Sequence, residues 1–532
     1  MSSALRSAPV AGSAPAGAPV HDVLVIGAGP FGLGLAALAD GIADAPRGGA
    51  GAPSGGAAPL DLRVLDAAPG FRWHGGMLIE GATLQVPFLA DLVTLADPTN
   101  RWSFLNWLKQ TGRLYPFYIR EDFAPLRAEY DAYCRWVAEG LRAPSGEPTV
   151  EFGREVVRVV FDEAADAFAV TSVASRRGAD GCPVDQGTDS ATAAAPRTAA
   201  VDATERTDLT RHLVLATGTR PRVPAPARAL VGEDAPGAAA HLHSSQYMHR
   251  REHLAGAEHV TVIGSGQSAA EIFLDQLERL DLGRQHLSWL TRSPRFFPME
   301  YTKLTLEMTS PEYTRYFHGL PQSERDRLGR QNLPLYKGIS GDLVNAIHEA
   351  LYRRRVEHGA DLPVTMRTAC ALESSELVGD TAHLAWRHTE TGTPFTTTSD
   401  ATVLATGYEH WVPDFLEPVR DRISWLPDGR YDVALDFTVD AARRIRVLNG
   451  EEHTHGLSAP DLGMGPWRAA QVLNDLTGRE LFAVEQQIAF QQFGAPDPSA
   501  PSAGSGLVAG TQAASTDVTP TDAASVEAGD QA

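Results

Sequence analysis

VLVIGAGPFGLGLAALA, residues Val23 to Ala39, is the stretch on which the fold turns. Strand-like VLVI runs into Gly27-Ala28-Gly29-Pro30-Phe31-Gly32, and a helix of small and apolar residues follows. Glycines at this spacing permit a tight turn, let the backbone approach a pyrophosphate and let helix pack close on strand, with the helix N-terminus facing the phosphates. The next strand, LRVLD, ends at Asp66, placed to accept hydrogen bonds from an adenosine ribose. Its separation from the glycines is long because the Gly/Ala-rich stretch 45–58 intervenes. Such a glycine motif alone is often an ordinary loop; a strand before it, a helix after it and an acid ending the next strand make it a dinucleotide site.

A second unit, HVTVIGSGQSAAEIFLDQL (His259–Leu277), carries Gly264, Ser265, Gly266, Gln267 and Ser268, with Ala269 at the third glycine position. Its following strand, HLSWLTRS, ends in Arg292 and Ser293 and lacks an acid. An acid would repel a 2′-phosphate and a guanidinium would bind one, so this site favours NADPH, the alternative being a surface arginine without a ligand. Opposite ribose chemistry implies two cofactors, most economically FAD at the first site and NADPH at the second. The turns Leu215-Ala216-Thr217-Gly218 and Leu404-Ala405-Thr406-Gly407-Tyr408 bracket the second unit, as expected where a chain crosses between two such domains.

These elements predict an α/β fold with two Rossmann-like domains, the NADPH domain inserted into the FAD domain, plus a small helical substrate region. The expected divisions are a tail at 1–20, a first FAD-binding segment at 21–222 with loop expansions at 45–58 and 175–207, and an NADPH domain at 223–395 with its helical region near 298–355. The FAD-binding domain resumes at 396–494, and a tail at 495–532 has almost nothing to bury. The chain has 46 Lys+Arg against 66 Asp+Glu, a formal charge of −20, which argues against a nucleic-acid surface. Cys134, Cys182 and Cys370 form neither a CxxC pair nor a metal cluster, which suits a cytoplasmic protein and removes the dithiol reductases. The start of the chain has no apolar core of a signal peptide, and the glycine-broken run Val23–Ala39 is too short to span a membrane.

The segments FRWHGGML, LQVPFLADLVTLADPTNRWSFLNWLKQTGRLYPFYIREDF and PLRAEYDAYCRWVA, with the late LNGEEHTHGLSAPDLGMGPWRAAQVLN, have no place in a generic flavin reductase. Here the chain, from about Val20 to Gly494, resembles the FAD- and NADPH-dependent N-hydroxylating monooxygenases that act on L-ornithine, L-lysine or aliphatic diamines in hydroxamate siderophore biosynthesis. One departure is Gly75, where that family's WHPGM-type motif carries proline. The resemblance implies a flavin C4a-hydroperoxide whose distal oxygen is attacked by the neutral form of a primary amine, with O2 as co-substrate. Neutralising an alkylammonium of pKa about 10.4 at pH 7 costs roughly 4.6 kcal/mol, which a dry pocket must lower. No protein nucleophile, catalytic triad or metal is expected. The resemblance places Trp73, His74, Met77 and Gln85 along the flavin, with Pro460, Asp461 and Leu462 closing its other side; Trp73 and Met77 have plain core filling as the competing role. Gly264 to Ser268 and Arg292 would hold NADPH, His453 and His455 would be structural, and the aromatic run Trp102 to Tyr118 would be interdomain core. Homo-oligomers, tetramers or dimers, are the family's habit.

The amine is read from what is missing. Amino-acid relatives carry a lysine in an FLKDL motif where this chain has Ala90, an asparagine where it has Leu306, and a serine where it has Gly463. Without those clamps an α-carboxylate would be buried unpaired, costing several kcal/mol. A diamine, putrescine or cadaverine, lacks that group and is the leading substrate. L-Lysine is the alternative, with Lys337 as a replacement cation, and Glu307 or Asp461 would hold the distal ammonium of a diamine. A Baeyer–Villiger or sulfide monooxygenase would share both dinucleotide sites but lack the DLVTLADP and HTHG segments, and a non-catalytic flavoprotein would have broken glycine motifs.

Overall fold

The second half of strand Val20–Ile26, Val23 to Ile26, is apolar on both faces because it becomes a central strand, and Val23, Leu24 and Val25 are fully buried. Each such side chain contributes roughly 1.5–3 kcal/mol by leaving water. The computed structural model describes residues 19–42, 60–175, 205–231, 239–300, 302–359 and 361–496. The two tails and the expansions at 45–58 and 175–207 therefore lie outside the described residues, except at their edges, where Arg206 already begins a strand.

The first sheet has seven strands. Val150–Phe152, Leu62–Asp66, Val20–Ile26 and Arg206–Leu215 run parallel in that order, and Ile445–Val447 joins Arg206–Leu215, also in parallel. Ala167–Ala174 and Arg154–Asp162 add an antiparallel pair at one side. Helix Pro30–Gly41 lies between this sheet and Met464–Thr477, and the close approach is specified by Gly32: a Cβ there would fall 2.2 Å from the carbonyl oxygen of Gly27. Pro30 opens the helix, where its missing N–H costs nothing.

The second sheet is all parallel, in the order Val364–Arg367, His286–Leu290, His259–Ile263, Ala401–Leu404, His241–His243. Helices Lys303–Leu306, Pro311–His318, Gln322–Gln331, Leu333–Tyr336 and Gly341–His358 fill the crossover between two of its strands. A separate antiparallel meander, Cys370–Val378, Thr381–His388 and Pro394–Ser399, precedes the last crossover. Ala401–Leu404 pairs with His259–Ile263, so the return to the first sheet comes after it and not at 396. The crossing is marked by a short ladder of Arg220–Pro221 with Tyr408–Glu409. Both glycine loops thus leave a central strand flanked by strands on either side, the switch point where open α/β sheets bind ligands.

The aromatic run is not interdomain core. Trp102, Phe104, Trp107 and Phe117 pack into the core beneath the first sheet with Tyr130 and Tyr133, whereas Tyr115 and Tyr118 are each 74% exposed. The six-residue helix Leu114–Ile119 buries only Phe117, so its other aromatic residues face out.

Candidate functional site

A cavity of about 350 Å³ opens over the first glycine loop, lined by Gly27 to Phe31 and Asp66 and continuing to Trp73, His74, Pro460 and Leu462. Gly27 has φ +106°, and a Cβ on it would stand 2.3 Å from the Ala216 carbonyl oxygen, so the ATG turn packs directly against the loop. A Cβ on Gly29 would meet nothing within 4 Å, which leaves an open backbone cradle beside the helix N-terminus. Asp66 is fixed by the backbone: it accepts from Ala28 N and from Ala68 N, both at 2.7 Å. Loop, open cradle and strand-end acid together fit an adenine dinucleotide such as FAD.

At the far end of this cavity the backbone is constrained. His74 has φ +50°, and Gly76 is required because a Cβ there would lie 1.8 Å from the Ser245 carbonyl oxygen. Trp73 stands 4.9 Å from the Tyr130 ring, and its backbone N–H donates to Asp131 at 2.7 Å. His74 lies 5.0 Å from Trp73 and 5.6 Å from Tyr408, between rings; burial, aided by the Arg127 cation, pulls its pKa down to about 4. It is a neutral wall at pH 7. Met77 is not on this wall. Its side chain is 3% exposed and packs in the core of the second domain with Leu242, Tyr247 and Phe273, so core filling is its role.

Trp73, His74, Pro460 and Leu462 also line an inner cavity of about 390 Å³ that includes Gln85, Leu306, Tyr336 and Asp461. Leu306 and Asp461 are shared with an outer cavity of about 310 Å³, which holds Ala90, Glu307 and Gly463. A Cβ on Gly463 would sit 3.0 Å from Asp461 Oδ1 and 3.9 Å from the Ala90 methyl, so Ala90 and the distant pair Asp461 and Gly463 form one patch. Among the described residues, Asp461 is the one charged side chain on the inner cavity. Burial pushes its carboxyl above the ordinary range, with the Met464 N–H, donating at 3.1 Å, opposing the shift.

Two sequence-derived candidates are engaged elsewhere. Glu307 lines the outer cavity, but its carboxylate accepts from the backbone N–H groups of Phe490 at 3.1 Å and Gln491 at 3.0 Å. It fastens the segment that carries Ile488, another residue lining the outer cavity, so its carboxylate is already engaged. Lys337 lines neither cavity; its Nζ lies 3.7 Å from Glu452, and its neighbour Tyr336 faces the inner cavity instead. Sequence reasoning also passes over Lys303, an exposed cation on the outer cavity, because nothing in its local pattern separates it from any surface lysine.

The loop 456–461 is held from behind by a buried ion pair between Glu451 and Arg468, whose guanidinium also donates to the Ser458 and Ala459 carbonyl oxygens at 3.1 and 2.8 Å. His453 Nε2 bonds to the Tyr431 carbonyl oxygen at 2.7 Å and His455 stacks 4.9 Å from Phe437; neither lines the flavin-side cavity or the inner cavity.

The second glycine loop repeats the first joint. Gly264 has φ +153°, and a Cβ there would lie 2.2 Å from the Ala405 carbonyl oxygen. Gly266 leaves an opening in which a Cβ would meet only the Lys337 carbonyl oxygen, at 3.4 Å. Ser265 and Ser268 are half-buried beside it, and Arg292 is exposed just past the end of His286–Leu290. Gln267 is tied inward: it accepts from Ser340 N at 2.9 Å and donates to Glu271 at 3.0 Å. Glu271 in turn pairs with buried Arg127 at 2.7 and 2.8 Å, and Arg127 donates to the Met77 carbonyl oxygen at 2.7 Å. This chain of contacts joins the second loop to the turn that carries His74.

The family model described as L-lysine 6-monooxygenase/L-ornithine 5-monooxygenase matches residues 19–185 and 184–410. A putrescine N-hydroxylase of Shewanella oneidensis is 40% identical over 475 residues, covering 89% of this chain and 84% of that protein. An alcaligin biosynthesis enzyme of Bordetella pertussis is 37% identical, covering 90% and 92%. The crystal structure of the FAD-bound desferrioxamine-pathway cadaverine monooxygenase of Erwinia amylovora superposes with a TM-score of 0.76 at 39% identity, covering 90% of this chain and 99% of that one.

Proposed function

The chain belongs to the L-lysine 6-monooxygenase/L-ornithine 5-monooxygenase family, and we propose that it N-hydroxylates an aliphatic diamine, putrescine or cadaverine, for hydroxamate siderophore biosynthesis. FAD, when bound, supplies oxygen activation, and NADPH supplies the reducing equivalents. FAD is read into the cradle of Gly27, Gly29 and Pro30 with Asp66 at its edge, and NADPH into the opening over Gly264 to Ser268 with Arg292 as partner of a 2′-phosphate.

The observation that carries the substrate reading is the patch of Ala90, Gly463 and Asp461. Where a carboxylate-bearing substrate needs a cation, this wall offers a methyl group, a bare backbone and an anion. Asp461 spans the inner and outer cavities and is placed to take the distal ammonium, while the other amine sits among Trp73, Gln85 and Leu462. The apolar surfaces of Trp73 and Leu462 lower the cost of presenting a neutral amine, since desolvation disfavours its charged form. The second reading, L-lysine, rests on Lys303, a cation on the outer cavity that could meet an α-carboxylate. Among the described residues no helix is long and apolar enough to cross a membrane. We place the reaction in the cytoplasm and read the chain as a homo-oligomer, a reading supported by the exposed apolar side chains Tyr115, Tyr118, Ile119 and Phe123.

The test is hydroxylamine formation from putrescine, cadaverine, L-lysine and L-ornithine side by side, with FAD and NADPH supplied. Hydroxylamine from the diamines is expected. Product mainly from L-lysine would sink the diamine reading and make Lys303 the first residue to replace.

A further inference from the structure

Tyr336, the last residue of the short helix Leu333–Tyr336, also lines the inner cavity. Its hydroxyl donates to Oε1 of Glu452, His410 Nε2 lies 3.1 Å from Oε2 of the same carboxylate, and Lys337 Nζ is 3.7 Å from Oε1. Burial alone would raise the Glu452 carboxyl, yet His410, Lys337 and Tyr336 together hold it at about 2. Glu452 is thus ionised at any working pH and fixes the direction of the Tyr336 hydroxyl. A phenol has one proton to give and lone pairs to offer. With the proton committed to Glu452, what remains for the cavity is an acceptor. An acceptor suits an ammonium, which only donates, and is mismatched to a carboxylate, which only accepts.

We propose that Tyr336 accepts an N–H of the bound substrate ammonium, with Glu452 as the negative charge behind it and His410 and Lys337 as positioning residues that hold Glu452 in place. This rests on the amine-hydroxylase reading and adds a binding residue to Asp461 on the same cavity. It also accounts for a wall on which Asp461 is the one charged side chain among the described residues: the second negative charge stands one residue back.

The experiment is calorimetric titration of the FAD-loaded, oxidised enzyme, without turnover, using putrescine, cadaverine and L-lysine as probes. Wild type is compared with Tyr336→Phe and Glu452→Gln, and FAD content and NADP⁺ affinity serve as controls for the fold. Losing a hydrogen bond to a charged group is expected to weaken amine binding about 10-fold or more in Tyr336→Phe; in a separate steady-state assay KM should rise more than kcat falls. Glu452→Gln keeps an acceptor for the phenol but removes the charge, and it should weaken the dicationic diamines in the same direction. Unchanged amine affinity in Tyr336→Phe with intact FAD and NADP⁺ binding overturns the proposal; if that variant does not fold, unchanged affinity in Glu452→Gln does so. The wild-type titration separately tests the diamine reading. Should wild type prefer L-lysine, that reading fails, and the effect of Tyr336→Phe on L-lysine binding still decides the role of Tyr336.

Discussion

At the first glycine loop the Ala216 carbonyl oxygen leaves 2.3 Å for a Cβ on Gly27; at the second, that of Ala405 leaves 2.2 Å for one on Gly264. The joint is the same, and what surrounds it is not. The first loop opens on a cavity with Asp66 fixed at its edge, while the second has an exposed arginine at the end of the next strand. Its helix is tied through Glu271 and Arg127 to the turn beside His74. The glycines and ATG turns are therefore what a strand at a switch point needs in order to turn, and in the function proposed above ligand choice is carried one strand further on.

The largest effects should come from breaking either joint. Gly27→Ala and Gly264→Ala each drive a methyl into backbone at a positive φ, where nothing can yield cheaply. Gly27→Ala is expected to abolish FAD retention, read from flavin absorbance after gel filtration. Gly264→Ala should keep FAD and still be reduced by dithionite, but not by NADPH; loss of FAD from both would show that the joints are not independent.

The link between the loops is next. Arg127 and Glu271 are 8% and 7% exposed, so Glu271→Gln or Arg127→Met leaves a buried charge unpaired, at about 3–5 kcal/mol. Chemical denaturation of the holoenzyme measures this, and the double replacement Arg127→Met/Glu271→Leu should recover much of the loss.

Histidines from both sides of the joint give a pH test. His74 and His243 flank Tyr408 at 5.6 and 5.5 Å, and burial lowers each to about 4. The unfolded chain takes up their protons near the ordinary histidine value of about 6.5, so the stability from keeping them neutral is present above that pH and is lost as pH falls toward 4. The effect should come mainly from His243, which is 2% exposed, and less from His74, which faces the cavity. Melting temperature between pH 8 and 4.5 should fall less steeply in His243→Gln than in wild type; identical slopes would refute the assignment.

The smallest effect sharpens the difference in ribose chemistry. Arg292→Ala is expected to raise the KM for NADPH about tenfold while leaving NADH untouched, since only the 2′-phosphate pairs with the guanidinium. A parallel loss with both nucleotides would move the 2′-phosphate elsewhere.

Much of the fold is legible in the sequence because its signals are local. A buried parallel strand is an apolar run, a tight turn at positive φ is a glycine, and a helix start is Pro30; all are written within a few consecutive residues. The substrate site is less so. Ala90, Leu306, Asp461 and Gly463 do meet at the adjoining cavities. Met77, Lys337 and Glu307 carry suitable chemistry but turn to other partners, and Lys303 and Tyr336 give no local sign of facing a cavity. Which side of a four-residue helix faces a cavity depends on what packs behind it.

The sequence by itself determined two dinucleotide loops, their order, the acid at one strand end and the arginine at the other, because each is a short-range requirement of backbone geometry or charge. Only the tertiary structure decided that Ala401–Leu404 belongs to the second sheet, that Glu307 fastens the segment that carries Ile488, and that Tyr336 is backed by Glu452 across more than a hundred residues of chain. Those are choices among partners of equal chemistry, and packing in three dimensions is what selects one.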